Sequence, residues 1–331
     1  MTTVEKVESE LLDVSPGKAA GARLKSSGFV RYIPLILLAI VIIVIGLYTP
    51  NFLTARNAIN ILRQSAALGL MAIGMTTVMI GGGIDLSIPS MMAFSGILGA
   101  MYMRDGGNPF VAALIMVGAG MLGGSINGFA VAYLRMIPFV VTLAMMNIAM
   151  GASIWITQSV SVAPINQGFI DVVMAKFGII PMPVIFVAIV TLIAQVLMKN
   201  GIFGRWLFAV GTNVRAARVS GIPTQRVIFS TYVVSGLFAG LAAMLVVARL
   251  MSAAPTMGEE GVVLDIVSSA VVGGTSIYGG LGSPLGSVIG ALFITLITNS
   301  MNMMKISYYW TLIIKGLVIV IAVILDSLRR R

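Results

Sequence analysis

The sequence predicts an all-α polytopic membrane protein of about ten transmembrane helices with both termini cytoplasmic. Three observations predict it. Of the 331 residues, 58% are apolar and only 10% charged, against roughly 25% charged in soluble domains. The apolar residues gather into runs close to the roughly 20 needed to cross about 30 Å of hydrocarbon. Lys and Arg fall mainly on alternate loops, fourteen on one side and five on the other, as the positive-inside rule requires of a chain with both ends inside.

The first 31 residues mix Lys6, Lys18, Arg23, Lys25 and Arg31 with Glu5, Glu8, Glu10 and Asp13. A cleavable signal peptide has a shorter polar start and a shorter apolar core, so residues 1–31 read as an uncleaved cytoplasmic tail. Residues 32–326 form the transmembrane domain, and 327–331 a short basic cytoplasmic tail. Within the domain, the expected spans run over Ile33–Thr49, Ala58–Ile80, Ile88–Tyr102, Pro109–Leu134 and Phe139–Thr157. They continue over Pro181–Leu197, Val227–Val247, Ile266–Val272 with flanks, Leu285–Thr298 and Tyr309–Leu325.

The composition excludes several classes of function. With no Cys and no His, disulfides, thiolate chemistry, haem and most zinc or iron sites fall away. No phosphate loop is present, since Gly274–Gly280 (GTSIYGG) lacks the Lys that would reach a phosphate. The basic residues are scattered over loops, unlike the clustered footprint of a nucleic-acid binder. The methionines sit singly on spans, as flexible apolar fillers.

The most informative polar segment is the loop 199–226, which contains Val214–Pro223 (VRAARVSGIP). Good helix formers run through Arg218, Ser220-Gly221 stop them, and Pro223 prevents continuation. A helix of about two turns would lie along the membrane face and show Arg215 and Arg218 to water. By itself this is also what an ordinary basic cytoplasmic loop looks like.

Two glycine-rich breaks come next. Gly81–Ser87 carries Asp85 between two apolar runs, and Gly273–Pro284 carries Ser276, Tyr278 and Ser283. Unwound backbone at membrane depth is tolerated only under cover of protein or a wet cavity, and an acid there is expensive unless paired. Asp85 therefore either caps the following helix from a turn at the cytoplasmic edge or serves in gating, with ion binding a third reading. Both breaks are expected on one side, which argues against a simple inverted repeat. Among the polar residues in spans, Arg63 and Lys315 either snorkel to the outer boundary or pair with a buried carboxylate or carbonyl. Thr142, Asn147 and Asn299 either line a path for a polyol or bond between helices. The longest outer loops are Ser159–Ile180 and Ala248–Asp265.

Several strings together carry a resemblance over about Asn51 to Asp326. They are Gly82-Gly83-Ile84-Asp85-Leu86-Ser87, Pro138-Phe139 with Thr142-Leu143, and Ala216-Ala217 with Ser220-Gly221-Ile222. Arg249-Leu250 with Pro255-Thr256, Leu264-Asp265, and Gly273-Gly274-Thr275-Ser276 with Gly279-Gly280 complete the set. The chain resembles the permeases of ribose-type sugar ABC importers. The resemblance implies that Asn213, Arg215, Ala216, Ala217, Arg218, Ser220 and Gly221 form the coupling segment gripped by an ATPase subunit. It implies a gating or structural role for Gly82, Gly83, Asp85, Ser87, Gly273, Gly274, Ser276, Gly279 and Gly280.

The expected partners are a sugar-type ABC ATPase, a periplasmic or extracellular sugar-binding protein landing on the outer loops, and a second permease subunit, identical or paralogous. The chain is expected to hold no cofactor and to do no covalent chemistry, with ATP and magnesium bound by the ATPase. Its expected place is the bacterial inner membrane. Arg215 stands where the motif usually has Glu, Val263 where an acid is common, and Met150 where Arg is frequent. Another small polar solute as cargo, an ion-coupled transporter, and a membrane scaffold or receptor are the rival readings.

Overall fold

The computed structural model describes residues 52–163 and 165–329, together with Ile43, Gly46 and Thr49. Among residues 52–329, helices run in the order α1 (Ala55–Ile80), α2 (Ile88–Arg104), α3 (Pro109–Ala132), α4 (Pro138–Thr157), α5 (Gln167–Val173), α6 (Met182–Asn200), α7 (Ile202–Thr212), α8 (Val214–Val219), α9 (Thr224–Leu250), α10 (Glu260–Val272), α11 (Pro284–Met303) and α12 (Tyr308–Arg329). A two-stranded hairpin, β1 (Lys176–Phe177) with β2 (Ile180–Pro181), precedes α6. A 3₁₀ turn, Pro255–Gly258, precedes α10.

Six of these helices, α1, α3, α4, α6, α9 and α11, are long and apolar enough to cross a membrane. Every predicted span from Ala58 onward holds a helix; Ile33–Thr49, apart from Ile43, Gly46 and Thr49, and residues 1–31 and 330–331 lie outside the described residues. The starts follow local chemistry. Asn108 accepts from the Phe110 N–H at 2.8 Å ahead of Pro109, and Ser283 accepts from the Gly286 N–H at 3.2 Å ahead of Pro284. Each pairs a side-chain cap with a proline whose missing N–H costs the first turn nothing.

Helices α1, α9 and α11 are mostly buried and form the centre. Helices α3, α4 and α6 present apolar outer faces, among them Leu122, Phe129, Ile148, Trp155, Leu192 and Ile193, as lipid-facing helices do. The tightest crossing is α3 on α9, and it is made by backbone. A Cβ on Gly120 would strike the Gly236 carbonyl, one on Gly124 the Tyr232 carbonyl, and one on Gly128 the Phe229 carbonyl. From the other side, Gly236 and Gly240 face Gly120 and Met116. Small residues four apart let two helices touch without side chains between them, the packing that lipid surroundings favour.

Two readings are sharpened. Helix α10 has 13 residues, about 20 Å at 1.5 Å per residue, so the span expected at Ile266–Val272 with flanks is helical over only part of a crossing. Its approach is completed by the 3₁₀ turn, which packs on the start of α2: Ser90 donates to the Gly258 carbonyl at 3.5 Å, and Gly258 has no room for a side chain beside Pro89 and Ser90. The loops 159–180 and 248–265 are stitched together by the Val162–Ala253 bridge. Second, Lys315 does not snorkel. It is 8% exposed and places its ammonium 2.9 Å from Asp265, tying α12 to α10. The ammonium could not be left unpaired among apolar helices, which is why the carboxylate sits beside it.

Replacing Gly124 with Val should cost about 3 kcal/mol or prevent assembly, because a carbonyl on the facing backbone cannot yield. Gly118, whose Cβ would meet nothing within 4 Å, should accept Val with little change. Thermal unfolding of both variants in detergent measures this, and equal stability would refute the backbone-contact account.

Candidate functional site

The candidate coupling helix α8 is short, and every part of it is specified by sequence. Asn213 caps it by accepting the Ala216 N–H at 3.0 Å. Gly221 ends it with φ of 80°, the Gly221 N–H reaching the Arg218 carbonyl at 3.0 Å and the Ile222 N–H reaching the Ala217 carbonyl at 3.1 Å. That bond pair is a Schellman cap, and its left-handed residue is where glycine has no steric penalty. The helix is one and a half turns long, shorter than expected. Arg215 and Arg218 are exposed, as is Ser220, while Ala217 is buried against Ile80, Leu207, Val210 and Val227. Ala217 thus seats the helix on the bundle, leaving the arginines and Val219, 90% exposed, to face outward. Val219 escaped the sequence reading, although a valine at the last position of the helix, just before the Ser220-Gly221 stop, was the available signal.

The same cap recurs at both glycine breaks. At the end of α1, Gly82 (φ 84°) and Gly83 donate to the Met79 and Val78 carbonyls; at the end of α10, Gly274 (φ 89°) and Thr275 donate to the Val271 and Ala270 carbonyls. The two breaks then meet. The Gly280 N–H donates to the Ile80 carbonyl at 2.9 Å. Gly211, near the end of α7, is wedged against Ile80 and Gly280, and Gly280 in turn lies on Thr212. Asn213, the cap of α8, follows directly. The backbone on one side of the coupling helix therefore rests on both breaks.

On its other side, α8 leads through Pro223 into α9, and α9 holds the first break through a polar knot. Asp85 is 2% exposed. Its Oδ1 accepts from the Ser87 N–H at 3.0 Å and the Ser87 hydroxyl at 2.6 Å, and its Oδ2 accepts from the Ser235 hydroxyl at 2.7 Å. Asn127 on α3 donates to Ser87 Oγ at 2.9 Å, and Thr142 on α4 donates to the Ile84 carbonyl at 3.3 Å. Five helices thus converge on one turn. The carboxylate folds the turn but does not cap α2, whose N-cap is Ser87. Asn127 and Thr142 are more than one turn inside the ends of α3 and α4, and Ser235 lies near the middle of α9. Beside the knot, Tyr232 Oη and Asn127 Oδ1 are buried and without hydrogen-bond partners among the described residues.

The second break is held by hydroxyls. Thr76 and Ser287 share a hydrogen bond, Thr275 lies 3.3 Å from Thr76 and 3.4 Å from Ser287, and Gln195 Oε1 accepts from Ser283 and from the Leu285 N–H. Ser276 is fully buried there, with its N–H on the Leu281 carbonyl at 2.9 Å. Gly273 packs on Gly286 without room for a Cβ, and Gly279 has φ of 87°. The proposed path residues separate. Thr142 belongs to the knot; Asn299 exchanges two amide hydrogen bonds with Asn57, at 3.0 and 3.1 Å; Asn147 is exposed on α4 and donates to its own helix at Leu143. Among the described residues no group of three or more His, Cys, Asp or Glu side chains could hold a metal ion.

Replacing Asp85 with Asn should cost about 1 kcal/mol or less, because the Ser235 hydroxyl can reverse and accept from the new amide. Asp85→Ala strands three donors and should cost about 2 kcal/mol or more. Equal losses in the two variants, read by thermal unfolding and by uptake, would show that the charge itself is required. Replacing Gly221 with Val forces a branched residue into the left-handed region at about 1–2 kcal/mol. It should suppress ATP-driven uptake roughly ten-fold or more, a ratio that displacing a coupling free energy of about 1.4 kcal/mol is enough to produce, while membrane insertion is unchanged. Normal uptake would remove α8 from the coupling path.

Residues 57–323 match a family described as branched-chain amino acid transport system / permease component. The chain is 37% identical to the ribose import permease protein of Escherichia coli (strain K12) over 300 residues, 88% of this chain and 92% of that one. It is 38% identical over 295 residues to the ribose import permease protein of Bacillus subtilis (strain 168), covering 88% and 91%. It is 36% identical over 302 residues to the D-allose transport system permease protein of Escherichia coli (strain K12), covering 90% and 92%. No solved structure is significantly similar. A multi-pass helical bundle, matched over nearly its whole length by sugar permeases, belongs to the ribose-type branch of the ABC importer permeases.

Proposed function

We propose that this chain is one of two transmembrane subunits lining the pathway of an ATP-driven importer for a monosaccharide, a ribose-like pentose or a hexose. The observation that carries the mechanism is the seating of α8. On one side it leaves α7 where Gly211 and Thr212 rest on both glycine breaks. On the other it enters α9, which grips the first break through Ser235. A displacement of α8 is therefore delivered to both breaks at once.

In this mechanism a separate ATPase binds ATP and magnesium, and its closure moves α8 through Arg215, Arg218 and Val219. The spans rock between two arrangements, which requires that the ATPase contact α8 differently in its two states. A sugar-binding protein in the periplasm or outside the cell delivers cargo at the outer loops, held together by the Val162–Ala253 bridge. The chain itself performs no covalent step and carries no catalytic residue. Ten spans, both termini in the cytoplasm, a bacterial inner-membrane location and a partner permease, identical or paralogous, complete the reading.

The sugar assignment follows the relatives named for ribose and D-allose import. The family's description names branched-chain amino acids, which keeps another small polar solute as the second reading. The test reconstitutes the full chain with a co-expressed sugar-type ATPase in proteoliposomes, then offers receptor loaded with ribose, allose, xylose or leucine. ATP hydrolysis stimulated by one loaded receptor, with uptake of its cargo, is the expected result and names the cargo. Uptake that follows an ion gradient and ignores ATP would overturn the importer and make Asp85 the residue to pursue.

A further inference from the structure

At the opposite end of α1 from the coupling junction lies a cavity of about 830 Å³. The 26 residues of α1 put about 39 Å between the two ends at 1.5 Å per residue. Arg56, Asn60 and Arg63 contribute to its wall from one stripe of α1, at the i, i+4 and i+7 positions that share a helix face. Lys176, from the β1–β2 hairpin, adds a third cation across from them, and Ile59 and Met303 supply apolar wall. Among the described residues that line the cavity none is acidic. The start of α1 adds its own partial positive charge at the same place.

Three cations around one cavity repel one another, and the neighbouring amide does not relieve them. Asn57 is committed to Asn299 and to the Phe52 carbonyl at 2.9 Å. Arg63 is half-buried, and its Nε is buried without a hydrogen-bond partner among the described residues. A guanidinium in that position is stabilised by an anion that reaches it. Arg63 stands nine residues past Thr54, about 13 Å down the helix, deeper than the short side chain of an acid on a docked folded protein extends. The volume lies within the roughly 300–1,000 Å³ of small-molecule sites, more than one carboxylate fills. We infer that the cavity binds a phosphate group carried by an anionic phospholipid, with the headgroup between Arg56, Arg63 and Lys176 and an acyl chain along Ile59 and Met303. This reading uses neither the ATPase nor the cargo, so it stands or falls apart from the transport assignment.

The experiment is native mass spectrometry of the full chain in detergent, with matched thermal unfolding. Phosphatidylglycerol, phosphatidylcholine and inorganic phosphate are added in separate arms. Phosphatidylglycerol should be retained and should raise the unfolding temperature, whereas phosphatidylcholine should do neither. Retention should fall about five-fold for each of Arg56→Gln, Arg63→Gln and Lys176→Gln, the loss expected of one basic contact to an anionic lipid. Arg104→Gln, removing a cation already paired with Asp105 at 3.0 Å, should leave retention unchanged. Lys176→Gln, on an exposed hairpin, keeps the test valid if Arg63→Gln does not fold. Stabilisation by inorganic phosphate with no retained phosphatidylglycerol would overturn the lipid as the source. Equal retention of the two lipids, or retention untouched by all three cavity variants, would overturn the site.

Discussion

The hydrogen bond from the Gly280 N–H to the Ile80 carbonyl is the constraint on which the rest of the molecule depends. The Gly280 N–H lies outside any helix and the Ile80 carbonyl is the last of α1, both inside an apolar bundle, where water cannot satisfy them and each orphaned group costs several kcal/mol. The two breaks solve the problem by serving one another. Once they are joined, α1, α2, α10 and α11 are fixed at one end of the bundle, and α7 can approach only through a residue without a side chain, Gly211. The three Schellman caps follow from the same need. Each turns the chain sharply while using up the last helical carbonyls, so none reaches lipid unpaired.

This arrangement also explains why α8 can be so small. A six-residue helix has no stability of its own, because nucleation costs more than one turn returns. It exists because Asn213 and Gly221 cap its two ends and Ala217 is pressed into an apolar pocket. Such an element cannot shift alone. Its backbone runs without slack into Gly211–Thr212 on one side and into α9 on the other, and both lead to the breaks. The α3–α9 contact extends the linkage, since two backbones in direct touch cannot slide past each other without separating. Motion entering at α8 is thus carried by stiff parts to the place where helices are already broken.

Much of this was legible in the sequence, and the limits have physical causes. The runs of apolar residues located the helices from Ala58 onward. The short helix α8 and both glycine breaks were readable because glycine and proline mark backbone geometry directly. What was not readable depends on three-dimensional register. The four-residue spacing of Gly120, Gly124 and Gly128 against Gly236 and Gly240 becomes a contact only when α3 and α9 are brought together. The depth of Asp85 is set by Ser235, 150 positions later. The Lys315–Asp265 pair joins residues assigned to a span and to a loop, because an apolar run of the wrong length gave α10 no clear boundary. Val219 was hidden because exposure is not a property of a residue in isolation.

Asp85 shows how the chemistry of the knot bears on the choice between mechanisms. A carboxylate that relays ions needs ligands that come and go, and commonly a neighbouring charge to exchange with. Here the two oxygens are held by three donors, two from Ser87 and one from Ser235, and among the described residues no cation is paired with it. Donors of that kind fix the side chain and with it the turn. They bind the first break to α9 whether or not an ion gradient exists. An acid held this way transmits force between helices, and the energy for that force must enter from elsewhere. The outward-facing side of α8, with two arginines and an exposed valine on a helix seated against both breaks, is where the structure offers a partner that hold.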